Sequence, residues 1–189
     1  MLKDLIIKNR SYRRFNQDVS IDLETLINLV DLARLSASGG NLQPLKYMLI
    51  LDPTKNKLIF PHLSWAGYIK DWPGPAEDER PTAYIVILGD TRIRQTIGCD
   101  HGIAAQSILL GATELGLGGC ILGSIDRPGI QKALNIPKHY DILLVLAIGK
   151  PKEKVIIESI GADGDIKYWR DDDNFHHVPK RSLDDIIIE

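Results

Sequence analysis

The sequence predicts an α+β fold in which a mixed or antiparallel central sheet is covered by helices on both sides. Three apolar segments, LKYMLILD, TAYIVILGD and YDILLVLAIGKP, are typical of strands. Helical segments separate them, but not in a regular alternation of strand and helix, which argues against a doubly wound parallel sheet. The chain has 189 residues, enough for one domain with a substantial core.

The N-terminal half is predicted to hold two helices and two strands. MLKDLIIKN forms a short helix, and VSIDLETLINLVDLARLS forms a stronger one, with apolar residues at helical spacing and Ser20 or Asp22 as its cap. SGGN ends that helix. The strand LKYMLILD is closed by a turn at DPTKN, and TAYIVILGD is the second strand. Between these strands, residues 55–80 are proline-rich and irregular, as functional loops often are.

The C-terminal half begins with DHGIAAQSILLGATELGLGG, a helix that is small or apolar on nearly every side. Such a helix is buried in the centre of a domain or at a subunit interface. GCILGS is a short strand, DRPGIQKALNIP a short helix capped by Asp126, and YDILLVLAIGKP the third long strand. The tail after residue 151 is polar and ends on LDDIIIE. We expect one domain over residues 1–189, with the tail from about 152 to 189 docking on a partner subunit.

Composition argues against several classes of protein. Hydrophobic residues make up 44% of the chain, charged residues make up 25%, and the formal net charge is −2. No global basic field is therefore present to recruit nucleic acid. No apolar run reaches the roughly 18 residues that cross a membrane, and MLKDLIIKNR is too short and too charged for a signal peptide. Cys99 and Cys120 are not in CxxC spacing, which fits a reducing compartment. We expect a cytoplasmic protein without nucleic-acid or membrane partners.

The stretch NRSYRRFNQ places three arginines within five positions at the exit of the first helix. Arg10, Ser11 and Arg13 can bind phosphate, because a guanidinium forms paired planar hydrogen bonds and a hydroxyl adds one more. Since the whole chain is slightly acidic, the expected partner is one small anion. The alternative is a solvated basic turn that pairs with Asp18 or Asp22.

Two further stretches are candidate cofactor contacts. LGLGGCILG, residues 115–123, carries four glycines, which allow the backbone to approach a flat ligand and expose its N–H groups. Its spacing and its helix-then-strand order do not match a dinucleotide fingerprint, and a glycine-rich helix stop is the alternative. SASGGNLQP, residues 36–44, offers amides that can pair with the edge of a heterocycle, with a plain helix end as the alternative.

Motifs for other chemistries are missing. Cys99, His101 and Cys120 do not have the spacing of a known zinc site, and neither do His176 and His177 beside the aspartates that precede them. We therefore expect no metal. The sequence contains no GxSxG, HExxH or P-loop and no evident nucleophile–base pair. An enzyme with this sequence would leave its chemistry to a cofactor.

Four stretches, taken together and in order, resemble the FMN-dependent nitroreductase family: RSYRRF, SASGGNLQPLKYMLI, DHGIAAQSILLGATELGLGGCILGS, and LAIGKP followed by HHVPKRSLDDII. The resemblance covers most of the chain, with residues 55–80 as the gap. It implies that Arg10, Ser11 and Arg13 hold the phosphate and ribityl chain of FMN. Arg14 is not assigned to the phosphate.

The resemblance implies further contacts, all of them to FMN and none by a catalytic side chain. Asn41 and Gln43 would face the flavin across a dimer interface, usually from the other subunit. The backbone N–H of Leu122–Gly123 would meet the flavin N5 region. One of the adjacent basic residues Lys180 and Arg181 would close over the phosphate. Ala37 and Leu45 replace a proline and a tryptophan that are frequent in the family, and neither change removes a hydrogen-bonding group.

The function implied by the resemblance is electron transfer from NADH or NADPH through flavin N5 to a nitroaromatic, quinone or related acceptor in a ping-pong cycle, by a homodimer with two sites at its interface. Two alternatives stay open at this point. One is a specialised branch of the family, such as a reductive dehalogenase or a flavin-consuming enzyme. The other is a flavin-binding module without turnover.

Overall fold

The computed structural model describes residues 1–188, and Glu189, the last residue of the tail, lies outside them. The helices are α1 (Leu2–Lys8), α2 (Leu23–Leu35), α3 (Pro53–Ile59), α4 (Asp100–Glu114) and α5 (Arg127–Ala133). The strands are β1 (Phe15–Asn16), β2 (Leu45–Ile50), β3 (Ala83–Asp90), β4 (Gly118–Leu122), β5 (Tyr140–Pro151), β6 (Val155–Ser159), β7 (Trp169–Arg170) and β8 (His176–Lys180).

The central sheet is antiparallel throughout and is organised around β5. One edge of β5 pairs with β3, and β3 pairs in turn with β2. The other edge pairs with β4 over residues 145–149 and then with β1 at Lys150 and Pro151. Because β5 has 12 residues, it can bond two short strands end to end along one edge. The predicted α+β class is confirmed.

Helices cover both faces of this sheet, as the period-2 pattern of the strands requires. On β3, Ile85 and Ile87 face α2 and α4, whose Leu29 and Ile108 are fully buried against them. The intervening Tyr84 and Val86 face a second cluster, which includes Ile59, Trp65 and Ile130 from the other side of the sheet. Full burial of one such side chain contributes about 1.5–3 kcal/mol, so the two faces supply most of the stability.

The tail folds into a second sheet that the sequence pattern did not predict. Its strand order is β6–β8–β7, with β6 and β8 parallel and β7 and β8 antiparallel. The sheet packs against the rest of the same chain, since Nε2 of His176 in β8 lies 3.0 Å from Nη1 of Arg13. Docking of this tail on a partner subunit stays a prediction.

Two predicted boundaries were wrong. DPTKN is not a turn but the first part of α3, because Asp52 caps that helix by accepting from the backbone N–H of Thr54 at 2.7 Å. The apolar helix ends at Glu114 rather than at residue 118, since Gly116 adopts a φ of +70° and starts the turn into β4. Asp22, not Ser20, caps α2. Within residues 1–188, no helix is both long and apolar enough to cross a membrane.

Candidate cofactor site

The stretch NRSYRRFNQ, residues 9–17, which we call the arginine segment, lies along the N-terminal end of β4. Ser11 forms an isolated parallel bridge with Gly119, and the backbone N–H of Tyr12 donates to the carbonyl of Gly119 at 3.0 Å. A side chain at Gly118 would come within 2.5 Å of the Tyr12 ring, and one at Gly119 within 2.5 Å of the Ala147 carbonyl oxygen. These two glycines are therefore explained by close packing of the chain itself, not by a ligand.

A cavity of about 320 Å3 opens beside this segment, between the two ends of the chain. We call it the basic cavity, because the side chains in its lining that are charged at neutral pH, those of Arg10, Arg13 and Lys180, are all cationic. It is lined by Asn9, Arg10, Ser11, Arg13, Tyr168, His176, Val178 and Lys180. The cavity therefore brings together four residues that are predicted to bind phosphate: Arg10, Ser11, Arg13 and Lys180. They are separated by up to 170 positions along the chain.

Arg13 is held in place by contacts with the tail. Its Nη1 donates to the carbonyl of Ser11 at 3.2 Å and lies 3.0 Å from Nε2 of His176. Its guanidinium carbon lies 4.7 Å from the centre of the Tyr168 ring, a cation–π distance. The side chain is 9% exposed, so its charge is largely withdrawn from water. Such a preoriented guanidinium is well suited to bind an anion.

His176 is neutral in this setting. Arginine has no acceptor, so the guanidinium of Arg13 is the donor and Nε2 of His176 the acceptor, which leaves the ring proton on Nδ1. Burial, together with the charges of Arg13 and Arg170, lowers the pKa of His176 to about 4. Nδ1 of His176 and Nε of Arg10 are both buried without a hydrogen-bond partner in the part of the chain that the structure describes.

Glu153, just after β5, fixes the arginine segment from behind. Its side chain is fully buried and accepts from the backbone N–H groups of Arg13 and Arg14. Its second oxygen accepts from Nη2 of Arg170 at 3.1 Å. One carboxylate thus joins the arginine segment, the end of β5 and the tail. A buried carboxylate needs such donors, because an unpaired charge in the interior is very costly.

Arg14 points away from the basic cavity. Its Nε and Nη2 donate to the two carboxylate oxygens of Glu79 at 2.7 and 2.5 Å. The hydrogen bond from Arg14 is the main reason why the pKa of Glu79 falls to about 2. Arg14 therefore ties the arginine segment to the loop before β3. Of the three arginines, Arg10 and Arg13 line the basic cavity, whereas Arg14 forms a structural ion pair.

The two adjacent basic residues of the tail are separated by the structure. Lys180 ends β8 and lines the basic cavity. Arg181 does not line the basic cavity; it lines a different cavity of about 450 Å3, which Lys180 also borders. Lys180 is thus the one of the pair that shares a cavity with Arg10 and Arg13.

Leu122 and Gly123 lie at the opposite end of β4 from the arginine segment. Four residues of strand separate Gly119 from Gly123, which corresponds to about 13 Å. Leu122 is buried and paired with Val145, whereas Gly123 is exposed. Nη2 of Arg127 donates to the carbonyl of Gly123 at 3.3 Å and Nε donates to the carbonyl of Ile142 at 2.8 Å, so a cation lies beside this end.

Asn41 and Gln43 do not line the basic cavity of their own chain. Both have a positive φ, 54° and 51°, and a glutamine in that region carries strain. The buried carboxylate of Asp100 holds their loop, accepting from the Ser38 hydroxyl at 2.6 Å and from the backbone N–H of Gly39 at 3.1 Å. The Ser38 oxygen in turn accepts from the backbone N–H of Gln43 at 3.0 Å.

The segment over residues 55–80, which was predicted to be irregular, begins inside α3 and packs against the tail next to the basic cavity. The rings of Tyr68 and Tyr168 have their centres 4.9 Å apart, and the guanidinium of Arg170 lies 4.2 Å from the ring centre of Trp72. The segment therefore contacts the site through Tyr168.

Sequence reasoning missed Tyr168, Glu153 and Asp100, and it weighed His176 only as a metal ligand. Within residues 1–188, no three His, Cys, Asp or Glu side chains lie close enough together to hold a metal ion. The sequence did contain one signal that His176 could face the site, the doublet His176–His177. Neighbouring residues of a strand face opposite sides, so one of the two histidines must point inward.

The fold and the site describe an α+β protein with a basic cavity built from both ends of one chain. The family model described as "Nitroreductase family" matches residues 6–150. The chain therefore belongs to the nitroreductase family. Family membership makes it an oxidoreductase and confirms the resemblance expected from the sequence.

Individual relatives are distant but match over most of their length. A Methanothermobacter thermautotrophicus protein, provisionally named NADH dehydrogenase/NAD(P)H nitroreductase, is 27% identical over 154 residues, which cover 78% of this chain and 76% of that protein. The structure of an FMN-dependent nitroreductase from Clostridium difficile R20291 is 26% identical, covers 79% of this chain and 87% of its own, and superposes with a TM-score of 0.66. A protein from Exiguobacterium sibiricum, provisionally named a nitroreductase and solved with FMN, is 18% identical and has the same fold. The match covers 80% of this chain and 89% of that one, with a TM-score of 0.68.

Proposed function

We propose that this protein is an FMN-dependent oxidoreductase that passes electrons from NADH or NADPH to a nitroaromatic, quinone or related acceptor. The observation that carries the proposal is the meeting of Arg10, Ser11, Arg13 and Lys180 in one basic cavity. The relative from C. difficile is described as FMN-dependent, and the one from M. thermautotrophicus as acting with NAD(P)H.

The residues of the basic cavity fit a phosphate group. The cavity offers the guanidinium of Arg10, the guanidinium of Arg13, the hydroxyl of Ser11 and the ammonium of Lys180, with no carboxylate among its lining residues. Nε of Arg10 is buried without a partner, so a ligand oxygen would complete it. Nη1 of Arg13 donates to Nε2 of His176, and the remaining N–H groups of the guanidinium can donate to the phosphate.

The strand β4 supports the placement of the rest of the cofactor. The arginine segment is paired to its first residues and Leu122–Gly123 lies about 13 Å farther along, so the groups proposed for the phosphate and for the flavin ring lie toward opposite ends of one strand. Bound FMN would supply two-electron chemistry at N5, first accepting from the pyridine nucleotide and then passing electrons to the acceptor in a ping-pong cycle.

The protein's own part at the ring end is charge stabilisation. The backbone of Leu122–Gly123 is rigid because Leu122 is paired in the sheet. Arg127 fixes the same segment through the Gly123 carbonyl and brings a positive charge to it. Preoriented N–H groups and a nearby cation favour the development of negative charge on a bound group. No side chain is required to act as a nucleophile.

We further propose that the enzyme is a homodimer. The apolar helix α4, for which the sequence left open the domain centre or a subunit interface, is covered largely by α2 and the sheet of its own chain. Large apolar side chains are exposed instead on α1 and α2: Ile6, Ile7, Leu23, Ile27, Leu32 and Leu35. A partner covering this face would bring Asn41 and Gln43 to the flavin of the other subunit, and the tail from about 152 to 189 would dock across the interface. Light scattering that finds a stable, flavin-loaded monomer would contradict this proposal.

The first test is of the cofactor and of turnover. The flavin released from the purified protein by heat should have the mass of FMN and not of FAD. Under anaerobic conditions, NADH or NADPH should bleach the yellow protein and a quinone or nitroaromatic should restore the colour. A yellow protein that neither nucleotide bleaches would instead be a binding module, and consumption of free flavin would indicate the specialised branch.

The second test is of the basic cavity. Arg10→Ala or Arg13→Ala removes a charge-assisted hydrogen bond of about 1.5–3 kcal/mol, so FMN should bind roughly ten- to a hundredfold more weakly in a fluorescence titration of the apo-protein. Lys8→Ala is the control, because Lys8 is a nearby exposed cation that does not line the cavity. Turnover per bound flavin should stay near that of the unmodified protein. Equal effects of all three changes would mean that the arginine segment is only a basic surface turn.

A further inference from the structure

A second cavity lies apart from the basic cavity, where the chain entering α2, the first turn of α3 and the start of β3 come together. Its volume is about 210 Å3, several times the roughly 30 Å3 that one water molecule takes in the liquid. It shares no lining residue with the basic cavity. Nothing in the proposed electron transfer uses it.

Three residues that line this second cavity each have a buried polar side-chain atom that is unpartnered within residues 1–188. The atoms are Oδ1 of Asn56, Nε of Arg80 and Oγ1 of Thr82. Leaving one such atom unsatisfied costs about 1–3 kcal/mol, so few are expected in a folded chain. The basic cavity has the same signature, with Arg10 and His176. Three such atoms around one cavity are hydrogen-bonding groups that a bound ligand would complete.

The chemistry of these three atoms specifies what the ligand must offer. Nε of Arg80 can only donate, and the Thr82 hydroxyl can donate as well. Nδ2 of Asn56 already donates to the backbone carbonyl of Thr82 at 2.9 Å, so its free Oδ1 is an acceptor. The ligand therefore presents an acceptor group toward Arg80 and Thr82 and an N–H or O–H donor toward Asn56.

The charged and apolar residues that line the cavity further restrict the class of ligand that it can bind. The cavity is lined by two cations, Lys57 and Arg80, and by two carboxylates, Asp18 and Glu77, so it favours a ligand with both signs of charge. Apolar surface completes the lining, contributed by Ile21, Leu51, Pro53, Pro81 and Tyr84.

We propose that this second cavity is a binding site for a free α-amino acid with an aliphatic side chain. Arg80 and Thr82 bind its carboxylate, Asn56 and a neighbouring carboxylate bind its ammonium group, and the apolar wall formed by Ile21 and Leu51 covers its side chain. Neutralisation of both charges inside one small cavity avoids the cost of burying either one alone. The site does not depend on the proposed flavin chemistry.

The test is isothermal titration calorimetry of the full-length protein with L-leucine, glycine and L-leucinamide. L-Leucine should bind saturably. Glycine should bind roughly tenfold more weakly or worse, because it lacks the two or more methylene groups whose burial contributes about 0.8 kcal/mol each. L-Leucinamide should bind at least about tenfold more weakly, since it has no carboxylate for Arg80.

Two variants test whether the binding heat of L-leucine comes from this cavity. Thr82→Val removes one hydroxyl at constant shape, and Arg80→Gln removes the charge; each should weaken L-leucine binding roughly tenfold or more. Thr96→Val is the matched control, because Thr96 is an exposed threonine outside the cavity. If Arg80→Gln does not fold, Thr82→Val decides alone. No saturable heat with L-leucine up to about 10 mM, or unchanged binding by Thr82→Val, would overturn the proposal.

Discussion

Arg13 and His176 share a hydrogen bond of 3.0 Å between Nη1 and Nε2, although 163 positions separate them in the sequence. The contact joins the segment after the first helix to the last strand of the tail. It also explains how one cavity can hold basic residues from both ends of the chain. Arg13 is oriented by a neutral histidine, which neutralises none of its charge, so the cavity stays attractive to an anion.

The uncharged state of His176 predicts a stability that depends on pH. Its folded-state pKa of about 4 lies below the unfolded value near 6.5, so its contribution is present above pH 6.5 and is lost as the pH falls toward 4. When the pH is lowered from about 7.5 to about 4.5, the free energy of unfolding of the apo-protein should decrease. The decrease should be about 2–3 kcal/mol larger than in the His176→Gln variant. Urea unfolding at both pH values measures this, and parallel losses in the two proteins would show that His176 does not titrate as inferred.

The adjacent His177 should have the opposite pH dependence. Its Nδ1 lies 3.0 Å from a carboxylate oxygen of Glu158 and its Nε2 lies 3.1 Å from one of Asp171, and these hydrogen bonds raise the pKa of His177. Its stabilising effect is therefore complete below the unfolded pKa and is lost as the pH rises through the higher folded value.

Thermal unfolding can separate this effect from that of His176. As the pH rises from about 6 to about 8.5, the melting temperature of the unmodified protein should fall relative to that of His177→Asn. Proteolysis within the tail should increase over the same range, since His177 links β6, β8 and the end of β7. A difference in melting temperature that does not change with pH would mean that the two carboxylates do not hold a proton on this ring.

Arg14→Ala should destabilise the protein while sparing its affinity for FMN. The change leaves Glu79 without its main partner, and the two side chains are 21% and 11% exposed, so we expect a loss of roughly 2–4 kcal/mol in the free energy of unfolding. The double change Arg14→Ala with Glu79→Ala should recover part of it, because it also removes the little-exposed carboxylate that Arg14→Ala leaves with only its weaker contact to Lys152. Arg14→Ala that binds FMN as weakly as Arg13→Ala, at unchanged stability, would place Arg14 in the cofactor site instead.

Lys180 and Arg181 form a matched pair for the tail. Lys180→Ala should weaken FMN binding by about tenfold, because it removes one charged donor from the basic cavity. Arg181→Ala should leave the affinity nearly unchanged, since Arg181 does not line the basic cavity. Titration of the two apo-variants decides between them. The reverse order would mean that the tail is displaced by one residue when FMN is bound.

The sequence by itself determined the parts of this protein that depend on local pattern. The three long strands, the two main helices and the arginine segment follow from hydrophobic periodicity, caps and turn residues, all of which act over a few positions. The family resemblance likewise rests on short stretches in order, and Arg10, Ser11 and Arg13 could be named from them.

Only the tertiary structure decided which of those residues meet. The strands of the tail are short, and β6 pairs in parallel with β8 across about 20 residues, so no local signal marks them. The family resemblance left Arg14 out of the phosphate site, but only the structure identifies its partner Glu79, which is 65 positions away. The choice of Lys180 over Arg181 depends on where β8 ends in space. Contacts between distant segments form only when the whole chain packs, and their partners are therefore not encoded in any one stretch of sequence.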